Sequence, residues 1–332
     1  MRLPLTTLCL ALPLSAAAEL TQLIERPTIE AIAQEVSGVS AKRNLDEITL
    51  YHRTRASSQF RQAAEHVLAQ LQAYGFDNAQ IRTFPADGKT MFGTQKSRPA
   101  WDVAFAELWE LDAEGNRVQR HGSWEAMPLS VAQDSVSGKA VAELVDIGSG
   151  TSPEDYAGKE VRGKLVLTVS QPGTVQDLAV REYGAAGIVS YAPNQKSAWW
   201  LEDDRLVRWG HLDSFREPGT FAFMVNLRTA NAWKARLAAG ETVLLDAEVR
   251  AERKPGEYVL VEASIPGSGQ GALAEDEIIY TCHLDHPRPG AKDNASGCAA
   301  EQAAARTLKT LIDNCVLYTS DAADESSRGG GG

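Results

Sequence analysis

Apolar residues recur at helical spacing early in the chain. Phe60, Ala64, Val67, Leu68 and Leu71 fall on one face of a segment from Ser58 to Tyr74, with Gly75 behind it as a stop. The spacing predicts an amphipathic helix over that range. The period then drops to two. Ile81, Thr83 and Phe84 read as a strand ended by Pro85, and Val103 to Leu111 as a longer strand before the turn Asp112-Ala113-Glu114-Gly115-Asn116. Between Asp87 and Arg98 turn formers outnumber large apolar residues, which predicts an exposed loop.

The middle of the chain is richer in strands. Val141 to Asp146, Lys164 to Val169, Gly184 to Tyr191, Phe221 to Val225 and Thr242 to Val249 all read as strands, and Asp177 to Tyr183 as a helix. These elements predict a separate β-rich domain over residues 122–250. After Pro255 the mixed texture returns. Tyr258 to Ile265 predicts a strand, Pro266-Gly267-Ser268-Gly269 a turn and Glu277 to Cys282 a buried strand. Ala295 to Ile312, rich in alanine, predicts a helix. No internal repeat is visible.

Chemistry concentrates where that last strand meets the helix. His283-Leu284-Asp285 is followed, after a loop containing Gly290, by Asp293-Asn294-Ala295-Ser296-Gly297. A strand ending in His283 puts the imidazole at the carboxyl edge of a sheet, where open α/β folds bind ligands. Asp285, two residues on, leans the same way and can support the imidazole by a hydrogen bond. Asp293 precedes a helix, near its positive end, and imidazole with carboxylates suits zinc. The tripeptide alone carries little, because His211-Leu212-Asp213 repeats it without the later residues and reads as structural. Asp293-Asn294 also fits a plain helix N-cap. His286 reads as a loop residue, with a ligand role left open.

Composition changes the picture in two places. With 33 Lys and Arg against 44 Asp and Glu, the net charge of -11 argues against nucleic acid or an anionic membrane as partner. Arg2, the apolar run Leu3 to Leu14 and Ala16-Ala17-Ala18 predict a signal peptide over residues 1–18 and a secreted or periplasmic protein starting near Glu19. No later segment approaches the ~18 apolar residues of a membrane span. Cys9 falls in the leader, leaving Cys282, Cys298 and Cys315, which permit one bridge. Cys282 reads as a buried strand residue facing away from His283.

Two resemblances follow. Asp155-Tyr156-Ala157-Gly158-Lys159, Val161 to Leu167 and Gly184 to Val189 resemble a protease-associated domain, which implies a lid or substrate-shaping module without catalytic residues. Strand, His283-Leu284-Asp285, Gly-containing loop, Asp293 to Gly297 and Ala-rich helix together resemble metallopeptidase family 28. Those are dinuclear-zinc exopeptidases, mostly aminopeptidases, with relatives among carboxypeptidases and glutaminyl cyclases. The resemblance implies that His283 binds one zinc, that Asp293 bridges two zinc ions and that Asp285 orients His283. Lys292 stands where the family more usually has Asn. The implied fold is α/β: a zinc-exopeptidase-type mixed sheet flanked by helices, incomplete and interrupted by the β-rich domain. The peptidase parts would be residues 19–121 and 251–314, and the substrates peptides.

That family also needs a Glu-Glu pair, a further acidic ligand and a final His, which residues up to Asn314 do not supply; Glu301 comes too early. Cys315 to Glu325 resembles a translated sequencing adapter, and four glycines close the chain. Residues 315–332 are therefore expected not to pack, and the chain to be an incomplete, inactive form of the exopeptidase. One alternative is a non-enzymatic peptide-binding protein that uses the middle domain, with Trp199, Trp200 and Trp209 as contact surface. Another is a carboxypeptidase or glutaminyl cyclase of the same fold.

Overall fold

Hydroxyl and amide caps set where the helices begin. In the computed structural model, which describes residues 24–192, 203–267 and 277–317, three helices come first: α1 (Arg26–Glu35), α2 (Gly38–Ile48) and α3 (Ser58–Ala73). Residues 1–18, predicted as a signal peptide, together with Trp199, Trp200, Ser268, Gly269 and residues 318–332, lie outside the described residues. Ser57 Oγ accepts from Phe60 N at 3.1 Å, which starts α3, and Gly75 at φ 90° ends it, close to the predicted 58–74. Its buried face is Phe60, Ala63, Ala64 and Leu71. Helices α1 and α2 bury little of themselves: α1 buries no residue and α2 only Asn44 and Ile48.

The strands and remaining helices follow as β1 (Gln80–Ala86), β2 (Met91–Phe92), β3 (Gln95–Lys96), β4 (Ala100–Leu111), β5 (Arg117–Ser123), β6 (Gly138–Asp146) and β7 (Leu165–Thr168). Then come α4 (Pro172–Gln176), β8 (Gly187–Ser190), β9 (Ala222–Met224), α5 (Leu227–Ala238), β10 (Leu244–Lys254), β11 (Gly256–Glu262) and α6 (Ser296–Asp313). The predicted helix over 177–183 is a π-helical turn, Asp177–Glu182, continuing from α4. The predicted exposed loop over 87–98 contains the small β2–β3 hairpin. Pro85 does not end its strand: β1 pairs only with β11, and an edge position needs no N–H from it.

Seven strands form one mixed sheet in the order β5-β4-β10-β6-β7-β8-β9, so the α/β class is as expected. β5, β4, β10 and β6 pair antiparallel, while β6, β7, β8 and β9 pair parallel. The sheet runs from Ala100 to Lys254, so β4 and nearly all of β5, which precede residue 122, are hydrogen-bonded into it. Strands β7, β8 and β9 are buried at every residue, as parallel strands covered on both faces are. At Gly187 a Cβ would sit 2.7 Å from the Phe221 ring, so this position needs glycine for close approach.

Outside this sheet, α6 packs on α1, α2 and α3. Ile48, Ala295 and Cys298 form a small core with Leu45, Val67, Cys282 and Leu284 at its rim. A second one joins Leu71, Phe76 and Ala79 to Val261, Ile265 and Ala305. The expected buried strand over 277–282 is absent. No described strand pairs with it, and Ile278, Ile279 and Tyr280 are 85%, 74% and 75% exposed. A strand exists through its ladder, so an apolar run without a neighbouring strand stays irregular. Cys282 is not a plain strand residue either: it forms a disulfide with Cys298, Cα–Cα 5.3 Å, across 16 residues of sequence. Closing such a loop contributes about 3 kcal/mol in the chain-entropy account.

Among the buried carboxylates Glu110, Asp134 and Asp246, the first two are supported very differently. Glu110 accepts from Trp233 Nε1 at 2.9 Å and His121 Nε2 at 3.1 Å, and pairs with Arg236. Burial alone would raise its pKa, but these donors bring it below the usual range. Asp134 has weaker support, with Arg98 Nη1 at 3.5 Å, and burial pushes its pKa up from 3.8 to about 6. The folded protein therefore holds this proton more tightly than the unfolded chain, and stability from this group falls as pH rises through roughly 4 to 6. Urea unfolding should find that wild type loses about 3 kcal/mol more than Asp134→Asn between pH 3.5 and 7.5. Asn tolerates the φ of 67° at this position. Equal pH slopes for the two proteins would refute the assignment.

Candidate metal centre

Local backbone brings the motif together. The segment Pro287-Arg288-Pro289-Gly290 turns the chain, with Gly290 at φ 52°, and a π-helical turn, Ala291–Ala295, leads into α6. Asp293 lies in this turn at φ -121° and ψ 91°, off the helical path, so it does not act as an ordinary first-turn residue. His286 and Arg53 exchange two backbone hydrogen bonds of 3.0 Å, an antiparallel bridge between segments far apart in sequence.

His283 and Asp293, predicted as metal ligands, meet side chain to side chain: His283 Nε2 is 2.9 Å from Asp293 Oδ1. His286, read from sequence as a loop residue, joins them, with Nε2 3.6 Å from Asp293 Oδ2. One carboxylate thus faces two imidazoles, one from each oxygen. His283 Nδ1 lies 3.1 Å from the backbone carbonyl of Asp285 and 3.5 Å from its Oδ1. Support for the imidazole thus comes first from the Asp285 main chain, while the Asp285 carboxylate also pairs with Arg55 Nε at 3.3 Å. A carbonyl can only accept, so Nδ1 donates wherever that contact is a hydrogen bond, and Nε2 is the nitrogen turned to Asp293. Lys292 is exposed and, among the described residues, forms no ion pair with Asp293.

His52 lies behind this loop and escaped the sequence reading, since a lone His in Tyr51-His52-Arg53 has no motif spacing. It is buried against Trp124, ring centroids 4.7 Å apart, and its Nδ1 accepts from Arg288 N at 3.2 Å. Burial first, then the positive charges of Arg288 and Arg53 nearby, lower its pKa to about 3. It is therefore a neutral acceptor across the working pH range. A cavity of about 330 Å³ opens here, lined by His52, Gln59, Phe105, Glu107, Trp124 and Arg288 among others.

The second His-Leu-Asp is built differently. His211 stacks on Trp209, centroids 4.8 Å apart, Leu212 is buried and Asp213 pairs with Arg216 at 3.2 Å. Among the described residues, no carboxylate lies within ion-pair distance of the His211 ring. At the first copy the donor types suit zinc, but His283, Asp293 and the nearby His286 fall short of a closed four-ligand set. Among the described residues, no group of three or more His, Cys, Asp or Glu is arranged to hold a metal ion.

Known proteins add to this geometry. Residues 261–322 match the model of peptidase family M28. No curated protein matches the chain. Among solved structures, a peptidase M28 precursor from Shewanella amazonensis SB2B aligns at TM-score 0.57 and 19% identity, over 86% of this chain and 64% of that one. BSAP, a zinc aminopeptidase from Bacillus subtilis, aligns at TM-score 0.50 and 16% identity, over 82% of this chain and 58% of that one. An aminopeptidase from Aneurinibacillus sp. strain AM-1 aligns at TM-score 0.47 and 21% identity, over 85% of this chain and 61% of that one. The chain thus spans 58% to 64% of the length of these proteins. The family whose sequence pattern is carried by the segment with His283, Asp285 and Asp293, and whose fold the chain shares, is peptidase family M28.

Proposed function

We propose that the protein is a form of a secreted zinc-dependent exopeptidase, an aminopeptidase removing N-terminal residues from peptides, and that this 332-residue chain, short of the general-base Glu and of further metal ligands, is inactive by itself. In this reading His283 and Asp293 hold the metal and Asp285 orients His283. The observation that carries it is the 2.9 Å approach of His283 Nε2 to Asp293 Oδ1 inside the stretch that matches the family. Two zinc ions held there would supply a Lewis acid for the scissile carbonyl and lower the pKa of a water molecule. The protein's own part is orientation. The Asp285 carbonyl holds the His283 ring through Nδ1, and Asp293 presents its two oxygens in different directions, as a carboxylate serving two cations must. That BSAP is a zinc aminopeptidase supports zinc as the metal.

Two of the three segments that resemble a protease-associated domain, Val161 to Leu167 and Gly184 to Val189, run into β7 and β8 of the seven-stranded sheet, and we assign this part of the protein the role of shaping access for peptides. The cavity beside His52 and Trp124, with mixed polar and apolar walls, suits one amino-acid residue. Secretion rests on the leader-like residues 1–18; no helix among the described residues is long and apolar enough to cross a membrane.

Three outcomes are expected. Calorimetry should find weak zinc binding by the 332-residue chain, falling about tenfold or more in His283→Ala and Asp293→Asn; unchanged binding in both variants would remove these residues as ligands. Aminoacyl p-nitroanilides should not be turned over by this chain, since a two- or three-donor site holds zinc poorly. Chelator-sensitive release of p-nitroaniline would overturn that expectation. Sequencing the gene past the codon for Asn314 should reveal a Glu-Glu pair, a further acidic residue and a His in that order, and a stop codon there would sink the peptidase reading.

A further inference from the structure

Arg53 is fully buried, at 0% exposure, and among the described residues no carboxylate lies within ion-pair distance of its guanidinium. Burial lowers its pKa to about 10, with Asp285 acting in the opposite sense, so it is a cation at neutral pH. A buried cation is costly unless its donors are satisfied. Here main-chain carbonyls satisfy them. Nε donates to Leu284 O at 2.7 Å, and Nη1 to Ile48 O at 2.7 Å and Tyr51 O at 3.0 Å. Longer contacts reach Pro289 O from Nη1, 3.3 Å, and Gly290 O from Nη2, 3.4 Å. Ile48 is the last residue of α2, whose carbonyl end favours a cation.

The acceptors fall into two groups. Ile48 and Tyr51 belong to Arg53's own neighbourhood. Leu284, Pro289 and Gly290 belong to the loop between His283 and Asp293. Leu284 follows His283 directly, and Gly290 stands three residues before Asp293. The backbone bridge between Arg53 and His286 pins the middle of the same loop. Contact is so close that a Cβ at Gly290 would lie 2.8 Å from Arg53 Nη2 and 2.5 Å from His286 Nδ1. The loop is wrapped around the guanidinium.

We infer that Arg53 is a positioning residue for the His283–Asp293 pair: by gathering the carbonyls of Leu284, Pro289 and Gly290 it holds both ends of the loop where the two side chains meet. As a positioner of metal ligands it rests on the functional reading above; as the organiser of the loop it does not. The Cys282–Cys298 disulfide ties the outer ends of the same stretch, so it cannot fix the turn between them. Lysine cannot replace the fork, because an ammonium offers its donors from one point and reaches fewer of these carbonyls.

Two measurements on the full 332-residue chain test this, in wild type, Arg53→Lys and Arg53→Met. The first is amide hydrogen exchange without metal, comparing peptides over 282–290 with peptides over β6, β7 and β8. The second is a Co(II) titration followed by visible absorption. Exchange in 282–290 should speed up about tenfold in Arg53→Met, with the sheet unchanged and Arg53→Lys in between. Co(II) affinity should fall about tenfold or more in the same order. Unchanged loop exchange in Arg53→Met overturns the inference. Equal acceleration in the sheet also overturns it, because Arg53 would then act on global stability. If wild type binds no Co(II) while Arg53→Met loosens only the loop, the metal reading falls and the hold of Arg53 on the loop stands. If loop exchange rises but Co(II) affinity does not change, the positioning of the ligand pair is refuted.

Discussion

A strand in the middle of a sheet must satisfy its amide groups on both edges, and β10 does so with partners from two different parts of the sequence. Along one edge it pairs with β4, from Leu244 opposite Leu111 to Lys254 opposite Ala100. Along the other it pairs with β6, from Leu244 opposite Glu143 to Val249 opposite Gly138. The antiparallel part of the sheet and its parallel part therefore meet at β10. Beyond Pro255 the chain runs straight into β11, which pairs with β1 and packs against α3. One nearly continuous extended stretch thus joins the large sheet to the helices that carry the candidate site. Its register sets where α3, and through it α6, can lie.

How much of this was readable follows from how each element is stabilised. Helix α3 and strands β4, β6, β7 and β8 bury a regular set of side chains, and their periodicity is plain in the sequence. Helix α5 depends on Ala230 and Trp233 and on an Asn226 cap that accepts from Thr229 N at 2.8 Å, a signal too short for a pattern to stand out. The stretch over 277–282 failed in the opposite direction. Its residues are apolar enough for a core strand, but composition does not supply a neighbour, and without a ladder the run lies exposed.

At the site, the residue types were legible and their contacts were not. His283, Asp285 and Asp293 stood out because the tripeptide is followed, after a Gly-containing loop, by Asp293 to Gly297 and an Ala-rich helix, which His211-Leu212-Asp213 is not. The return of His286 toward Asp293 depends on a turn through Pro287 to Gly290, whose course no spacing rule gives. His52 and Arg53 were invisible for a related reason. Each works through the main chain of a segment more than 230 residues away, His52 by accepting from Arg288 N and Arg53 by donating to Leu284 O. Contacts to backbone leave no complementary side chain in the sequence to be noticed.

The choice of carbonyls over a carboxylate as partners for Arg53 has a consequence for the chemistry. A buried Asp or Glu beside the guanidinium would neutralise it more strongly, but it would also put another anion and another cation-binding donor next to Asp293. Carbonyl oxygens satisfy the fork with partial charge only. They leave the Asp285 carboxylate free to divide itself between Arg55 and His283, and Asp293 facing two imidazoles. Because carbonyl partners belong to the backbone, satisfying the cation and shaping the loop become one event: the guanidinium cannot be hydrogen-bonded unless Leu284 and the Pro289-Gly290 turn are in place. The desolvation that makes a buried arginine costly is what makes its loop specific, since any other course of residues 284–290 would leave a buried cation without acceptors.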